Sequence, residues 1–418
     1  MLKAIKIRLY PNKEQANFIN RQLGCCRFLY NNLLAWKKDL YESEKKSPAS
    51  NETSAFIKKL KDEYTFLREV HSKVLQQSVI DLGTAFNNFF RGIKKGEHIG
   101  YPKFKSKKKY NEACRFPVDA FIGVKGNRIS IIKKLSNIHF KCSRRDEKYL
   151  NKKQDYVKSV TIRRDSANRY YASVLIEYDG YKKLPKVDGE VGIDVGVKSF
   201  AVTSDGVVYP KIAEVSKMFV KCDRLIKKYQ KQLARTESDS KRHHEVRIKL
   251  AKWQAKKKNI REAYHHKVVN ELLRENQTIA VEDLNVNGML KNHKLARAIQ
   301  DHGLSNFFTL LKYKAEWNDK KVVEVGRFYA SSKLCNCCGY KKADLTLSNR
   351  EWVCPCCGSY NDRDINAAMN ILSEMKRLTS QHGEEVEKVV STHSESCLRL
   401  SSPKVKHGDW PTMDDKQR

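Results

Sequence analysis

Two pairs of cysteines in the last quarter of the chain place the tightest constraint on how this sequence can fold. Two residues separate Cys335 from Cys338, two separate Cys354 from Cys357, and 15 residues lie between the pairs. This spacing is typical of a zinc ribbon, in which two tight turns present four thiolates to one tetrahedral Zn²⁺ ion. Because four thiolates leave no open ligand position, we expect the zinc to be structural rather than catalytic.

An additional cysteine lies inside each pair and complicates the choice of ligands. Cys337 precedes Cys338, and Cys356 precedes Cys357. We favour the two-residue spacing because Cys338 and Cys357 are each followed directly by glycine, which permits the turn that a metal knuckle needs. A set of buried free thiols is the alternative, but it does not account for the repeated spacing. The sequence leaves open whether Cys337 or Cys356 can replace its neighbour.

The net charge of the chain indicates the kind of partner that it binds. Its 418 residues include 82 Lys and Arg against 48 Asp and Glu, which gives a formal net charge of +34. Such a charge repels itself in a compact fold unless an anion neutralises it, and nucleic acid is the commonest large polyanion in a cell. Because 40% of the residues are hydrophobic, the chain can still build cores, and its length allows about two to four domains.

The distribution of apolar residues and cysteines predicts where the protein acts. The sequence contains no run close to the ~18 consecutive apolar residues of a membrane span. The first ten residues alternate Lys and Arg with apolar residues, whereas a signal peptide needs an unbroken apolar stretch. Six of the 12 cysteines lie within Cys335–Cys357, which points to metal rather than disulfides. We therefore expect a cytoplasmic protein without a membrane partner, associated with the nucleoid when it is bound to DNA.

The first half of the chain combines strands with a block of helices. Apolar and polar residues alternate at its start, which predicts a strand over residues 1–10. Apolar residues at helical spacing follow, so residues 11–110 are assigned to a helical insert. Short alternating runs then predict antiparallel strands over residues 111–186. We pair the first strand with these later strands, which gives a small β-barrel interrupted by helices.

The second half of the chain has the pattern of an α/β domain. Residues 187–330 alternate apolar strands with helices and include a charged helical hairpin over about 215–273. The predicted zinc ribbon over 331–360 interrupts this domain, and a helix over 361–376 completes it. Residues 377–418 are polar and mixed without sustained periodicity, which predicts a disordered tail.

Three acidic residues in the second half are candidate metal ligands. Asp194 and Glu282 lie in otherwise apolar strand runs, where an unpaired charge is costly unless a cation compensates it. Asp364 opens the last helix, although Asp362 competes for this role and either residue could instead cap the helix. Three carboxylates suit two Mg²⁺ ions about 3.5–4 Å apart, which assist phosphodiester hydrolysis by stabilising the attacking and leaving oxygens. Solvated surface carboxylates are the alternative for any three acidic residues in such a chain.

A basic and aromatic segment over residues 101–110 is a candidate nucleic-acid contact. Its lysines alternate with aromatic residues, which suits phosphate contact combined with base stacking, although a solvated surface loop would have the same composition. A glutamine can read adenine through two hydrogen bonds, although one on a helix surface is also often only solvated. The candidate nucleic-acid residues are Gln76, Tyr101, Lys103, Lys105, Lys107, Lys108 and Lys109.

Several motifs, taken in order, resemble the TnpB family of transposon-encoded RNA-guided endonucleases, which are related to type V CRISPR effectors. The resemblance extends over nearly the whole chain, because segments near the start match as well as those around the acidic residues. The motifs are RLYPN at 8–12, LQQS at 75–78, YPKF at 101–104, GIDVGVK at 192–198, VEDL at 281–284, SSKLC at 331–335 and DRDINAAMNI at 362–371.

This resemblance implies both an architecture and a catalytic set. The implied fold is an α+β multidomain protein, with a wedge-type β-barrel (1–10 and 111–186) that carries a helical recognition insert (11–110). A RuvC-like nuclease domain of RNase H fold (187–330 and 361–376) would follow, with the zinc ribbon inserted into it. The resemblance assigns Asp194, Glu282 and Asp364 to the catalytic triad. Asp364 is preferred over Asp362 because the motif Asn-Ala-Ala follows it after one residue.

The resemblance also implies an activity and its partners. We expect an RNA-guided, Mg²⁺-dependent DNA endonuclease of an insertion sequence, with a guide RNA from the transposon end and a double-stranded DNA target beside a short flanking motif. Two catalytic Mg²⁺ ions, for which Mn²⁺ could substitute, and one structural Zn²⁺ are the expected cofactors. Two alternatives remain at this point: a nuclease-inactive RNA-guided repressor, which the intact triad disfavours, and a transposase-type strand-transfer protein.

Overall fold

The computed structural model describes residues 2–96, 99–107, 112–178, 181–327, 329–346, 349–381 and 404–405. The chain divides into two compact units, Met1–Tyr181 and Lys182–Arg418. The sequence placed the corresponding division slightly later, between residues 186 and 187. Each unit has its own sheet and its own hydrophobic core.

In the part of the first unit that the structure describes, the sheet contains seven strands. They are β1 (Leu2–Tyr10), β2 (Ala113–Pro117), β3 (Gly123–Lys125), β4 (Arg128–Ser130), β5 (Ile138–Lys141), β6 (Val157–Arg164) and β7 (Tyr170–Glu177). The strand order is β2-β6-β7-β1-β5-β4-β3, with antiparallel pairing throughout. The alternation in β1 has a direct structural result, because Ile5, Ile7 and Leu9 are all buried in the core. The predicted pairing of the first strand with later strands is confirmed. Among the described residues the sheet has a linear order from β2 to β3, and its strands do not pair into the closed barrel that the sequence predicted.

Helices lie between β1 and β2, as the sequence predicted, and the described residues there form three α-helices. They are α1 (Lys13–Glu44), α2 (Ser50–Glu63) and α3 (Ser72–Lys94), and a shorter helix, α4 (Arg144–Lys152), lies between β5 and β6. The predicted cap at Asn12 is present: its side chain accepts from the Gln15 backbone at 2.8 Å, and the Asn12 N–H donates to the Gln15 side chain at 3.0 Å. The apolar faces of α1 and α3 join the core beneath the sheet.

The sheet of the second unit contains parallel and antiparallel strands. Its strands are β8 (Glu190–Asp194), β9 (Ala201–Thr203), β10 (Val207–Tyr209), β11 (Thr278–Glu282), β12 (Lys321–Val325) and the two-residue β15 (Lys404–Val405). The order is β12-β11-β8-β9-β10-β15, and β11 runs parallel to both β8 and β12. The Asp205-Gly206 turn joins β9 to β10 as predicted, with Gly206 at a φ of +79°.

Along the chain, helices lie between the strands of the second sheet and after β12. The charged hairpin is confirmed as α6 (Lys217–Ala234) and α7 (Lys241–Glu275). Ser240 caps the second helix by accepting from the His243 backbone at 3.1 Å. The helices are α5 (Ile212–Val215), α6 (Lys217–Ala234), α7 (Lys241–Glu275), α8 (Val286–Met289), α9 (Ala296–His302), α10 (Leu304–Trp317) and α11 (Arg363–Gln381). A two-stranded hairpin, β13 (Glu351–Val353) with β14 (Tyr360–Asp362), precedes α11.

Helix α11 packs closely across β8. A Cβ atom added at Gly192 would lie 2.1 Å from the Ala368 carbonyl oxygen, so only glycine permits this approach. Ile371 and Met375 of the helix bury their side chains with Ala280 of β11 and Val325 of β12. The middle of α11 is thereby fixed against β8 and its neighbouring strands.

The end of α11 differs from the sequence prediction. The helix continues to Gln381, whereas the sequence assigned everything after residue 376 to a disordered tail. The physical reason is that the helix is anchored by apolar packing upstream, and its continuation needs no apolar periodicity of its own. The remainder of the predicted tail lies outside the described residues, apart from β15 at Lys404–Val405, which pairs in parallel with β10. None of the described helices combines the length and apolar content that crossing a bilayer requires.

Candidate functional site

Two of the predicted acidic residues end neighbouring parallel strands. Asp194 is the last residue of β8, and Glu282 is the last residue of β11. The register pairs Ile193 with Val281, so the two carboxylates follow directly after paired positions. Because the carboxyl ends of parallel strands meet at one edge of a sheet, this edge concentrates negative charge.

The electrostatic environment of Asp194 identifies its acidic neighbours. Burial, followed by the charges of Glu282 and Asp364, raises the pKa of the Asp194 carboxyl to about 8. The positive charges of Arg363 and Arg350 lower it by less. Asp194 therefore lies in a cluster where its ionised form is unfavourable unless another cation approaches. All three carboxylates of the predicted triad are brought into electrostatic contact.

The Glu282 carboxylate has a hydrogen-bond donor on the segment that leads into the cysteines. The Ser331 hydroxyl donates to Glu282 Oε1. Burial raises the pKa of Glu282, and this hydrogen bond acts in the opposite direction. Ser331 is itself only 6% exposed, whereas Glu282 is half-buried, so the donor is buried and the carboxylate remains accessible. The sequence placed Ser331 in a motif but assigned it no role, because a serine contact across 49 residues has no local signature.

The structure distinguishes Asp364 from its competitor Asp362. Asp362 Oδ1 accepts from the backbone N–H groups of Asp364 at 3.0 Å and Ile365 at 2.9 Å, so Asp362 caps the first turn of α11. Asp364 lies within that turn, and its Oδ1 is 3.5 Å from Nη1 of Arg350. Asp364 therefore contributes charge beside Asp194, while Asp362 stabilises the helix terminus.

The donor set at this sheet edge fits a hard divalent cation. Carboxylate oxygens are the ligands that Mg²⁺ prefers, and Mg²⁺ is held by a few carboxylates together with substrate phosphate. A buried carboxyl group with two acidic neighbours is stabilised by a cation and destabilised without one. The acidic cluster is more open than the cysteine site: among the described residues, only the four cysteines have ligand atoms that all lie within 4.8 Å of one another.

The four predicted zinc ligands converge as the spacing predicted. Cys335, Cys338, Cys354 and Cys357 form one group, with Sγ atoms 3.8 Å apart for Cys335 and Cys357 and 3.6 Å apart for Cys338 and Cys354. Cys356 is exposed and lies outside this group, and Cys337 is also outside it. Four sulfur atoms at such distances can hold one tetrahedral Zn²⁺ ion.

Each cysteine pair is shaped by the glycine that follows it. The Gly339 N–H donates to the Cys335 carbonyl at 2.8 Å, and the Gly358 N–H donates to the Cys354 carbonyl at 2.9 Å. Both glycines have positive φ angles, +74° and +73°, which glycine adopts without strain. The sequence argument for the two-residue spacing therefore has a backbone explanation.

A serine between the pairs and β14 favours the thiolate form of one ligand. The Ser359 hydroxyl lies 3.2 Å from the Sγ atoms of both Cys335 and Cys357. Hydrogen bonds from Ser359 lower the pKa of Cys357 to about 6. Since the thiolate is the metal-binding form, this contact favours zinc binding at neutral pH.

The predicted basic loop is partly packed against α1. Asn31 accepts from the Lys105 N–H at 2.8 Å and donates to the Lys105 carbonyl at 3.0 Å, and Lys105 Nζ lies 3.8 Å from the centre of the Tyr30 ring. Tyr101 makes edge contacts with Phe86 and Phe89 at ring distances of 5.5 and 5.4 Å. Lys103, Phe104 and Lys107 are exposed, as are Tyr101 and Ser106, whereas Lys108 and Lys109 lie outside the described residues.

The two remaining surface features concern α3 and α6. Gln76 is exposed on α3, where it remains either a base contact or a solvated side chain. The sequence predicted a charged helical hairpin over about 215–273, but it singled out none of the basic residues there. A groove along α6 is lined by Lys227, Gln232 and a row of cations at three- and four-residue spacing, which are Arg224, Lys228, Lys231 and Arg235. This row extends over ~16 Å at 1.5 Å per residue.

Family models match three parts of the chain. A helix-turn-helix domain of the OrfB (IS605) family matches residues 1–46, a probable transposase of that family matches 173–293, and a Cas12f1-like TNB domain matches 305–371. The structure gives the first of these regions as β1 followed by one continuous helix, α1. The other two regions contain Asp194, Glu282 and the cysteine pairs.

Similarity to complete proteins decides the family. The chain is 35% identical over 376 residues to a putative RNA-guided DNA endonuclease of Streptomyces pristinaespiralis, which covers 89% of each chain. This chain belongs to the TnpB family. It is also 29% identical over 389 residues to the putative RNA-guided DNA endonuclease InsQ of Escherichia coli K12, covering 89% of this chain and 92% of InsQ.

A solved structure supports the α+β fold of this TnpB-family chain. The chain matches Cas12f1 in a complex with single guide RNA and target DNA, with a TM-score of 0.50 and 15% sequence identity. The match covers 85% of this chain and 82% of Cas12f1. At this identity the likeness establishes the shared fold.

Proposed function

We propose that this chain is an RNA-guided, Mg²⁺-dependent DNA endonuclease of an insertion sequence, which cleaves target DNA beside a short flanking motif. The observation that carries the proposal is the acidic sheet edge, where Asp194 lies in electrostatic contact with Glu282 and Asp364. Membership of the TnpB family and the names of the two relatives as putative RNA-guided DNA endonucleases support the same activity.

The proposed roles follow from the positions of the three carboxylates. Asp194 and Glu282 would bind metal from two adjacent strands, and Asp364 would complete the site from the start of α11. Two Mg²⁺ ions, or Mn²⁺ in their place, supply Lewis-acid stabilisation of the attacking and leaving oxygens in phosphodiester hydrolysis. The protein's contribution is to hold the carboxylates at fixed positions and to orient the scissile phosphate. The four-cysteine site would bind one Zn²⁺ with a purely structural role.

Domain roles follow from this proposal. We assign the first sheet to a wedge-type domain, the helices between β1 and β2 to nucleic-acid recognition, and the second unit to a RuvC-like nuclease domain of RNase H fold. A guide RNA derived from the transposon end would select a double-stranded DNA target by base pairing, while the protein contacts the heteroduplex through its backbone. The net charge of +34 and the cations of α6 supply the phosphate contacts that such binding needs.

The first test has two stages. Co-expression of the protein with its native downstream DNA, followed by sequencing of the copurified RNA, should yield one dominant species with a constant scaffold and a variable 3′ segment. That RNA then programs cleavage of a plasmid library with a randomised sequence beside the target. A random mixture of cellular RNA would contradict guided targeting. Joined DNA products would favour strand transfer by a transposase.

The second test concerns the carboxylates themselves. Asp194→Asn should lower cleavage by at least ~10³-fold while target binding is retained, because loss of a metal ligand removes several kcal/mol of transition-state stabilisation. Asp205→Asn is the matched control, since Asp205 is an exposed aspartate in the β9–β10 turn. Undiminished cleavage by Asp194→Asn would exclude the proposed site. Target binding without cleavage by the wild-type protein at any Mg²⁺ or Mn²⁺ concentration would favour a repressor.

A further inference from the structure

A partly buried polar network joins the predicted zinc ribbon to the acidic sheet edge. Its first member is the Ser331 hydroxyl, which donates to Glu282 Oε1. Glu282 lies at the end of β11, whereas Ser331 lies just before the first cysteine pair. The two regions are 49 residues apart in the chain, so only the tertiary fold brings them together.

Two asparagines of α11 hold the backbone on which Ser331 lies. Asn370 Nδ2 donates to the Ser331 carbonyl and to the Leu334 carbonyl, both at 2.7 Å. Asn366 donates to the Leu334 carbonyl at 2.6 Å. Asn366 and Asn370 are only 1% and 4% exposed, and buried amides without these partners would be costly. The segment from Ser331 to Leu334 is therefore fixed to the helix that also carries Asp364.

The network continues into the first cysteine pair. Asn366 Oδ1 accepts from the Asn336 N–H at 2.9 Å, and Asn336 Nδ2 donates to Asn370 Oδ1 at 3.1 Å. Asn336 follows Cys335, whose Sγ belongs to the four-sulfur group. Hydrogen bonds therefore connect the metal-binding loop, the start of α11 and the Glu282 carboxylate without a gap.

We propose that Ser331 is a positioning residue for Glu282, and that Asn370 fixes Ser331 so that the ribbon and α11 orient the metal-binding carboxylate. This inference rests on the proposed function, because it assumes that Glu282 is a metal ligand. A glutamate side chain has three rotatable bonds, and a buried donor restricts it to one orientation before metal arrives. Removal of the hydrogen-bond partner of a metal-ligating group commonly lowers metal affinity or activity by about 10–100-fold.

The experiment compares Ser331→Ala with Ser332→Ala, its neighbouring serine and matched control. Mn²⁺ binding to the protein–RNA complex without DNA is measured by electron paramagnetic resonance, and cleavage is measured across a range of Mg²⁺ concentrations. Ser331→Ala should weaken Mn²⁺ binding and raise the Mg²⁺ concentration for half-maximal cleavage, each by about 10–100-fold. Ser332→Ala should leave both unchanged. Ser331→Thr, which keeps the hydroxyl, should restore most of the loss, whereas a packing defect would not be rescued.

A second variant tests the connection to α11. Asn370→Asp removes the amide donor to two carbonyl oxygens and should reproduce the Ser331→Ala defect while zinc content remains that of the wild type. The double variant Ser331→Ala/Asn370→Asp should be no worse than the more severe single variant, because both act through Glu282. Additive losses, or an Asn370→Asp protein with wild-type metal dependence, would remove Asn370 from the proposal.

Failure of this inference can be separated from failure of the proposed function. If Ser331→Ala and Ser332→Ala behave alike while Asp194→Asn remains inactive, the positioning role is wrong and the nuclease site stands. If Asp194→Asn cleaves as well as the wild type, the nuclease site itself is wrong, and the positioning role falls with it.

Discussion

The two candidate metal sites of the second unit are built in opposite ways. The cysteine site draws its four ligands from Cys335–Cys357, and two glycine turns shape it locally. The acidic site draws Asp194, Glu282 and Asp364 from separate elements of the sheet and from α11. A site of the first kind is visible as spacing in the sequence, whereas the second needs strand pairing and helix packing.

The two sites also differ in how completely their side chains would surround a metal ion. Four sulfur atoms within 4.8 Å of one another would fill the coordination sphere of a tetrahedral ion at the cysteine site. At the acidic site the ionised form of Asp194 is disfavoured by burial and by its acidic neighbours, and ligand positions remain for water and phosphate. A closed site suits a structural ion, and an open, electrostatically unstable site suits a catalytic one. Four predictions test this contrast.

Loss of the cysteine site should have the largest energetic effect. Cys354→Ser removes a buried ligand from the four-sulfur group, and structural Zn²⁺ binds such groups with about 10–16 kcal/mol. We expect zinc content to fall close to zero and proteolysis to cut the 331–360 segment, as measured by elemental analysis and limited digestion. Cys356→Ser is the control and should retain zinc, because Cys356 is exposed and outside the group. Retained zinc in Cys354→Ser would refute this ligand set.

Asp364→Asn should affect cleavage far more than folding. Removing the third carboxylate should lower the cleavage rate by at least ~10²-fold, since a metal ligand contributes several kcal/mol in the transition state. The melting temperature should change little, because Asp362 and not Asp364 caps α11. Single-turnover cleavage and thermal unfolding measure the two effects. Wild-type cleavage by Asp364→Asn would mean that the acidic site contains only two essential carboxylates.

Without divalent metal, raising the pH should destabilise the second unit. The pKa of Asp194 is raised to about 8 in the folded state, against ~3.9 in an unfolded chain. The neutral carboxyl is therefore favoured by folding, and the stability it contributes is complete below pH ~4 and is lost as pH rises towards 8. The loss amounts to at most about 1.36 kcal/mol per pH unit.

Urea unfolding at pH 5 and pH 8 in a chelator of Mg²⁺ measures this effect. Asp194→Asn lacks the titrating group and should show a smaller loss of stability between the two pH values. Added Mg²⁺ should restore more stability at pH 8 than at pH 5, because the ionised carboxylate binds the cation. Equal pH dependence in the two proteins would mean that Asp194 titrates normally.

The smallest effect is expected at Asp362, the residue that competes with Asp364 in the sequence. Asp362→Ala removes the acceptor for two backbone N–H groups and should destabilise the unit by about 0.5–2 kcal/mol. Asp362→Asn keeps an efficient cap and should restore the stability. Chemical unfolding measures both, and cleavage should remain much closer to wild type than in Asp364→Asn. A cleavage loss as large as that of Asp364→Asn would exchange the two roles.

Local patterns predicted much of the fold. The alternation at Ile5, Ile7 and Leu9 predicted β1, the capping residues Asn12 and Gln15 predicted the start of α1, and the Asp205-Gly206 turn predicted a hairpin. Each of these features depends on neighbours within a few residues, so the physical cause is contained in the local sequence. The end of α11 was misjudged because polar helical turns resemble disordered chain in composition.

The sequence by itself determined the four thiolates of the zinc site, because short spacing and following glycines dictate where those atoms can lie. It also supplied the residue types of the acidic cluster, together with the family resemblance that singled them out. Only the tertiary structure decided that Asp364 lies beside Asp194 while Asp362 caps the helix, and that Ser331 donates to Glu282. These contacts join residues far apart in the chain, and they depend on the parallel pairing of β8 with β11 and on the close approach of α11 to Gly192.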